Sequence, residues 1–127
     1  MPSAKGSFQV QMQKQPSGPA PGLLRYTLDK VWLGDFVGTS HGEMLTAGDP
    51  AKGEAGYVAM ERLEGVLEGR HGSFALQHLA TMDKAGPKMR VEIVPGSGTE
   101  HLAGIAGTLE ILIEGGLHSW VLSYTLA

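Results

Sequence analysis

Phe8, Val10 and Met12 alternate with Ser7, Gln9, Gln11 and Gln13, which is the two-residue period of a strand with one buried face. The stretch Pro16 to Gly22 (Pro-Ser-Gly-Pro-Ala-Pro-Gly) supports neither a helix nor a sheet ladder and reads as a loop. Leu24, Tyr26, Leu28 and Trp32 then share one parity, with Lys30 in the same series, and the run stops at Gly34-Asp35. A third strand is expected from Phe36 to about Leu45, where Gly38 and Gly42 suggest bending or close packing. Thr46 to Gly56 reads as a polar loop bearing Gly and Pro.

Tyr57–Leu67 and Gly72–Met82 are two alternating runs joined through Glu68-Gly69-Arg70-His71. With Gly69 at its first central position, a two-residue type II′ turn is predicted. That register sets Leu67 opposite Gly72, Gly65 opposite Phe74, Leu63 opposite Leu76 and Glu61 opposite His78, so the apolar residues of both strands agree on one inward face. Met89, Val91 and Ile93 mark a sixth strand that ends at Pro95, and residues 95–104 read as a turn with one helical turn starting near Thr99. Leu109, Ile111 and Ile113 mark the seventh. Gly115-Gly116 is a type I′ signal that pairs Ile113 with His118, Ile111 with Trp120, Leu109 with Leu122 and Gly107 with Tyr124. Eight strands in a mostly up-and-down order, each with one apolar face, predict an all-β fold: a closed, mostly antiparallel eight-stranded β-barrel. An open two-sheet sandwich is the structural alternative.

Composition narrows the class further. The 127 residues favour a single domain, and 19 glycines with 7 prolines against only 18% charged residues oppose a helical bundle. The absence of cysteine excludes disulfides, thiolate metal sites and cysteine nucleophiles, whereas five histidines leave a histidine/carboxylate metal site open. A formal net charge of −3 provides no basic footprint for nucleic acid. No secretory pattern is visible in the first fifteen residues and no apolar window is long enough to span a bilayer, so a cytoplasmic protein with no membrane partner is expected.

Three segments carry a resemblance. Gly56-Tyr57-Val58-Ala59-Met60-Glu61-Arg62, Gly69-Arg70-His71-Gly72-Ser73-Phe74-Ala75-Leu76-Gln77-His78 and Val94-Pro95-Gly96-Ser97-Gly98-Thr99 together resemble a small bacterial family of unknown function, a likeness that extends to Gly34-Asp35 and Ser123-Tyr124-Thr125-Leu126. The resemblance implies a barrel similar to that of allene oxide cyclase and other lipocalin-like barrels. It implies no substrate and no catalytic residue, because fold does not dictate chemistry.

Glu61 and His78 each interrupt an apolar inward face, where an unpaired polar group costs about 1–3 kcal/mol. Directly opposed, they are within reach of a carboxylate–imidazole hydrogen bond. Such a pair can act in acid–base chemistry, orient a polar ligand group, or simply fix strand register. Lys30 shares the inward parity of Leu28 and Trp32, where it can neutralise Glu61 or extend to water at a barrel mouth. His41 and Glu43 lie on one face of the third strand. A two-residue Gly34-Asp35 turn sets them opposite Leu28 and Tyr26, making a His41/Glu43/His78/Glu61 metal set conceivable, although Phe36 and Met44 favour the other face. The expectation is therefore a small apolar ligand in the barrel interior, contacted by Lys30, Glu61, Leu63, Phe74, Leu76, His78, Trp120 and Tyr124, with no metal or cofactor. An isomerase or cyclase using His78 as acid/base, and a non-catalytic assembly module with a homodimer surface, are the alternatives. Pro95–Thr99 lacks the Gly-Lys-Ser/Thr ending of a phosphate loop and reads as a barrel closure, and His71, His101 and His118 read as solvent-exposed.

Overall fold

The computed structural model describes residues 2–126. Eight strands follow one another in chain order: β1 (Ser3–Lys14), β2 (Leu23–Gly34), β3 (Phe36–Asp49), β4 (Glu54–Leu67), β5 (Arg70–Asp83), β6 (Gly86–Ile93), β7 (Ala106–Glu114) and β8 (Leu117–Thr125). Every neighbour is antiparallel, and β8 returns to β1, with Ser3 facing Ser123 and Phe8 facing His118, so the sheet closes into a barrel. Each of the eight strands is thus hydrogen-bonded to a neighbour on both sides, most sparsely between β6 and β7. No helix among the described residues is long and apolar enough to cross a membrane.

The inward parity expected for each alternating run is the one observed. Ala4 and Phe8, Trp32 and Phe36, Leu63 and Leu67, Phe74 and Leu76, Val91 and Ile93, and Trp120 and Leu122 are buried in one core, and Leu28 is buried on the same inward face of β2. Its centre is aromatic: the Trp32 ring lies 4.9 Å from Phe8, 5.7 Å from Trp120 and 6.0 Å from Phe36, and Phe36 lies 5.9 Å from Phe74. These tilted and edge-on contacts match the quadrupole preference of aromatic rings.

One end of this core is plugged by chain between β6 and β7. Those two strands share only the pairs Val91–Leu109 and Glu92–Thr108. Beyond Ile93 the chain stays on β5: the Val94 amide donates to Ala75 O at 2.9 Å, the Thr99 amide to Ser73 O at 2.9 Å, and the Ala75 amide to Ser97 Oγ at 3.0 Å. A 3₁₀ turn at Glu100–Leu102 then drives Leu102 into the barrel end, with Ile105 beside it. The segment expected to be a closure is thus the plug.

Three local expectations are corrected. The β4–β5 hairpin turns on Glu68-Gly69, with φ of 47° and 84°, so it is type I′ and not II′ on Gly69-Arg70. The register moves by two residues: Leu63 faces Phe74, Glu61 faces Leu76 and Ala59 faces His78. A two-residue slip preserves every side-chain face. The unusual left-handed backbone at Glu68 is held from outside the hairpin, by its amide donating to Asp35 O at 2.9 Å and its carboxylate accepting from the Tyr124 hydroxyl. At the second correction, Asp35 exchanges hydrogen bonds with the Lys5 backbone, both at 2.9 Å. The β2–β3 bend is consequently centred on Asp35, His41 faces Asp29 and Glu43 faces Thr27. The third concerns Thr46–Gly56, where β3 and β4 continue as a paired ribbon to Asp49 opposite Glu54 around a 3₁₀ turn at Pro50–Lys52. Backbone pairing outlasts the apolar alternation because this ribbon leaves the core.

Candidate functional site

Glu61 occupies an inward position of β4 between Ala59 and Leu63, and its residue is only 2% exposed. Oε2 accepts from Lys30 Nζ at 2.8 Å and meets His78 Nε2 at 2.6 Å, while Oε1 accepts from Ser40 Oγ at 2.6 Å. Ser40 Oγ in turn accepts from Trp32 Nε1 at 2.9 Å. Burial alone pushes the Glu61 carboxyl up, but the His78 hydrogen bond and the Lys30 charge outweigh it and bring the pKa down to about 2. An ionised carboxylate can only accept, so the His78 nitrogen facing it, Nε2, carries a proton. The Lys30 ammonium also lies 4.6 Å from the Phe8 ring centroid and 5.4 Å from that of Trp32. Both ring faces favour the cation in this desolvated setting.

Close packing between β3 and β4 makes room for Glu61. Gly42 faces Glu61 across the ladder, and a Cβ at Gly42 would stand 2.0 Å from Met60 O and 2.6 Å from Glu61 Cα. Glycine is therefore required at that approach.

Lys30 and His78 form part of the wall of a cavity of about 120 Å³ at the barrel end opposite the Leu102 plug. Phe8, Leu28, Tyr57 and Ala59 continue the wall, and Met12, Met44, Met89 and His118 stand around the opening. The Tyr57 hydroxyl is pushed above its usual pKa by burial and then by the Glu61 charge, so it remains a neutral donor. A larger groove of about 670 Å³ lies between residues 17–19 and the outward-facing Arg25, Glu43, Val58, Met60 and Leu79, and Ala59 and His78 border it as well as the inner cavity. The inner cavity is the chemical candidate, because the buried charged groups project inward.

Glu61, His78 and Lys30 are thus brought together, although Glu61 and His78 are diagonal neighbours and not directly opposed. Leu63, Phe74, Leu76, Trp120 and Tyr124 lie in the packed half of the barrel, outside the cavity wall. Tyr124 has its pKa pushed up to about 12 by burial and by its hydrogen bond to Glu68. The conceivable metal set is not assembled: His41 pairs with Asp29 at 2.5 Å and Glu43 with Arg25 at 3.2 Å on the outer surface. Among the described residues no cluster of three or more His, Cys, Asp or Glu side chains has a metal-holding arrangement. His71 and His101 are exposed as expected, His71 pairing with Glu100 at 2.7 Å. His118 departs from expectation, being half-buried on the inward face of β8 with its ring centroid 5.0 Å from Phe8. Ser40 and Tyr57 join the site beyond the residues the sequence nominates for it. The shared parity of Phe36, Ser40 and Met44 was the available signal for Ser40.

No protein of curated function matches the chain. A crystal structure of a protein of unknown function from Shewanella oneidensis MR-1, of the DUF3224 family, is similar over 100% of this chain and 98% of that one, at 39% identity and a TM-score of 0.93. The profile described as "Protein of unknown function (DUF3224)" matches residues 4–124. The chain with this buried Lys30–Glu61–His78 cluster in an eight-stranded barrel therefore belongs to the DUF3224 family.

Proposed function

We propose that the protein binds a small, largely apolar molecule in the barrel mouth, with the ligand's polar group meeting Lys30 and His78 while Glu61 holds both. The observation that carries this reading is the placement of a buried, mutually hydrogen-bonded charged cluster on the wall of an otherwise apolar cavity. Paired charges fixed at the end of an apolar chamber provide orientation, and the apolar wall provides affinity.

Size limits the ligand. An apolar cavity of about 150 Å³ accommodates benzene, so 120 Å³ suits a body of about five or six non-hydrogen atoms. A longer ligand would extend past the methionines at the opening, whose unbranched thioether chains adapt to varied shapes.

Cyclopentanol, which has six non-hydrogen atoms, is a suitable probe. Added to the ¹⁵N-labelled protein, it is expected to shift amide resonances of Leu28, Lys30, Tyr57 and Ile111, which line the inner cavity and not the outer groove. At about ten times its Kd it should stabilise the fold by about 1.4 kcal/mol, raising Tm by several degrees. Ala59→Leu, which fills the cavity, should remove both effects. Shifts confined to the outer groove around Val58, Met60 and Leu79, or no shift at all, would overturn the reading.

A further inference from the structure

We infer that the cavity is a proton-transfer site for small enolisable ketones, in which His78 Nδ1 is the base and the Lys30 ammonium stabilises the enolate oxygen. This rests on the reading that a small ligand occupies the cavity. It adds a reaction class that binding alone does not require.

The argument begins with the two nitrogens of His78. Nε2 is committed to Glu61 Oε2 at 2.6 Å. Among the described residues no fully buried side-chain nitrogen or oxygen lacks a hydrogen-bond partner, so Nδ1, which makes no such bond, reaches open space. The His78 side chain is on the inward face of β5, and the open space on that side is the cavity. In the neutral ring, a proton on Nε2 leaves the lone pair on Nδ1. The carboxylate therefore does two things: it selects the tautomer that presents a base to the ligand, and it stabilises the imidazolium formed when that base takes a proton.

Lys30 supplies the electrophile. Its ammonium has three N–H donors, of which one is directed to Glu61 Oε2 at 2.8 Å, and Lys30 contributes to the cavity wall. A ketone oxygen beside it can accept another of these donors. The pairing of charges then balances at each stage. In the ground state Lys30 and Glu61 neutralise one another. After proton transfer the enolate faces Lys30 and the imidazolium faces Glu61, so the two new charges arise beside fixed opposite charges that are themselves buried, where such interactions are strong.

The step breaks one C–H bond α to the carbonyl and forms the Nδ1–H bond, and the C–H electron pair becomes the enolate π system with charge on oxygen. Return of a proton from Nδ1 to carbon reverses it. No oxidant, reductant or co-reactant is consumed. In D₂O the imidazolium exchanges its proton with solvent before return, so the ketone acquires deuterium.

Cyclopentanone in buffered D₂O, followed by loss of its α-proton NMR signal, is the direct test. General acid–base catalysis typically contributes about 10²–10⁴-fold, so exchange should run at least about 100-fold faster than in buffer alone. His78→Gln should return it to the buffer rate, and Lys30→Met should slow it. Cyclopentanol, which fits the cavity and cannot enolise, should inhibit the native protein competitively. Exchange at the buffer rate while cyclopentanone shifts the Lys30 and His78 resonances would overturn proton transfer and leave binding standing. Neither shift nor exchange would overturn both. Exchange that persists at saturating cyclopentanol would overturn the assignment even where the His78 variant fails to fold. Trapping of a covalent ketone adduct at Lys30 by borohydride would overturn the ammonium's assigned role.

Discussion

Glu61→Gln exchanges one oxygen for one nitrogen at nearly constant volume, so its effect isolates charge and hydrogen bonding from packing. The native carboxylate receives Lys30 and His78 at Oε2 and Ser40 at Oε1, all within 2.6–2.8 Å. A Gln amide has one acceptor oxygen and a nitrogen that cannot accept, so at least one donor is left without a partner. Lys30, 7% exposed, also loses its counter-ion. Removing one member of a buried ion pair costs about 3–5 kcal/mol. The pKa gives the same scale: holding the carboxyl at about 2 against its ordinary 4.5 corresponds to on the order of 3 kcal/mol of preference for the charged form. A domain of this length is expected to have roughly 6–19 kcal/mol of stability, so the variant should remain folded at room temperature, with Tm lowered by about 10–20 °C. Urea denaturation followed by circular dichroism measures the loss directly, with an unchanged m-value as the sign that the native fold persists. Lys30→Met combined with Glu61→Gln removes the stranded ammonium and should recover at least about 2 kcal/mol. A loss below about 1 kcal/mol for Glu61→Gln, or a double variant no more stable than the single, would refute the reasoning.

The same carboxylate sets an acid limb. Its folded pKa lies below its unfolded value, so the unfolded state binds more protons; the stabilisation is complete above about pH 5 and is lost as pH falls towards 2, and Glu61→Gln should flatten that decline in acid titrations of stability. Ser40→Ala leaves Trp32 Nε1 without its acceptor and Glu61 Oε1 without its donor, with an expected loss of about 1–3 kcal/mol in urea denaturation; an unchanged midpoint would remove Ser40 from the cluster. Gly42→Ala places a methyl against Met60 O and Glu61 Cα, and overpacking against backbone should cost at least about 1–3 kcal/mol, so a native-like Tm would contradict the β3–β4 approach. Leu102→Ala should cost about 2–5 kcal/mol and accelerate amide exchange in residues 94–105, and uniform exchange across the barrel would argue against a locally held plug.

The alternation of residues along each run was enough to place side chains on the inner or outer face of the sheet. That is why the closed barrel, the β7–β8 register and the inward positions of Lys30, Glu61 and His78 are legible in the residue order itself. A period of two defines a face but cannot distinguish registers that differ by two residues, so the choice between a Gly69-Arg70 and a Glu68-Gly69 turn was made by partners far away in the chain. Asp35 and Tyr124 hold Glu68 in its left-handed conformation, and Lys5 holds Asp35 at the bend that turns His41 and Glu43 outward. Cavity position was beyond the pattern for a different reason. Apolar inward residues look alike along a strand, and whether they fill the barrel or line a hollow depends on the summed volume of eight strands and the chain that plugs one end. Leu102 and the aromatic rings around Trp32 fill that end; at the other, small Ala59 and flexible methionines leave the chamber open over Lys30 and His78. Residue order along the chain thus sufficed to say which groups face inward, and only the three-dimensional packing decided which of them meet a ligand-sized space.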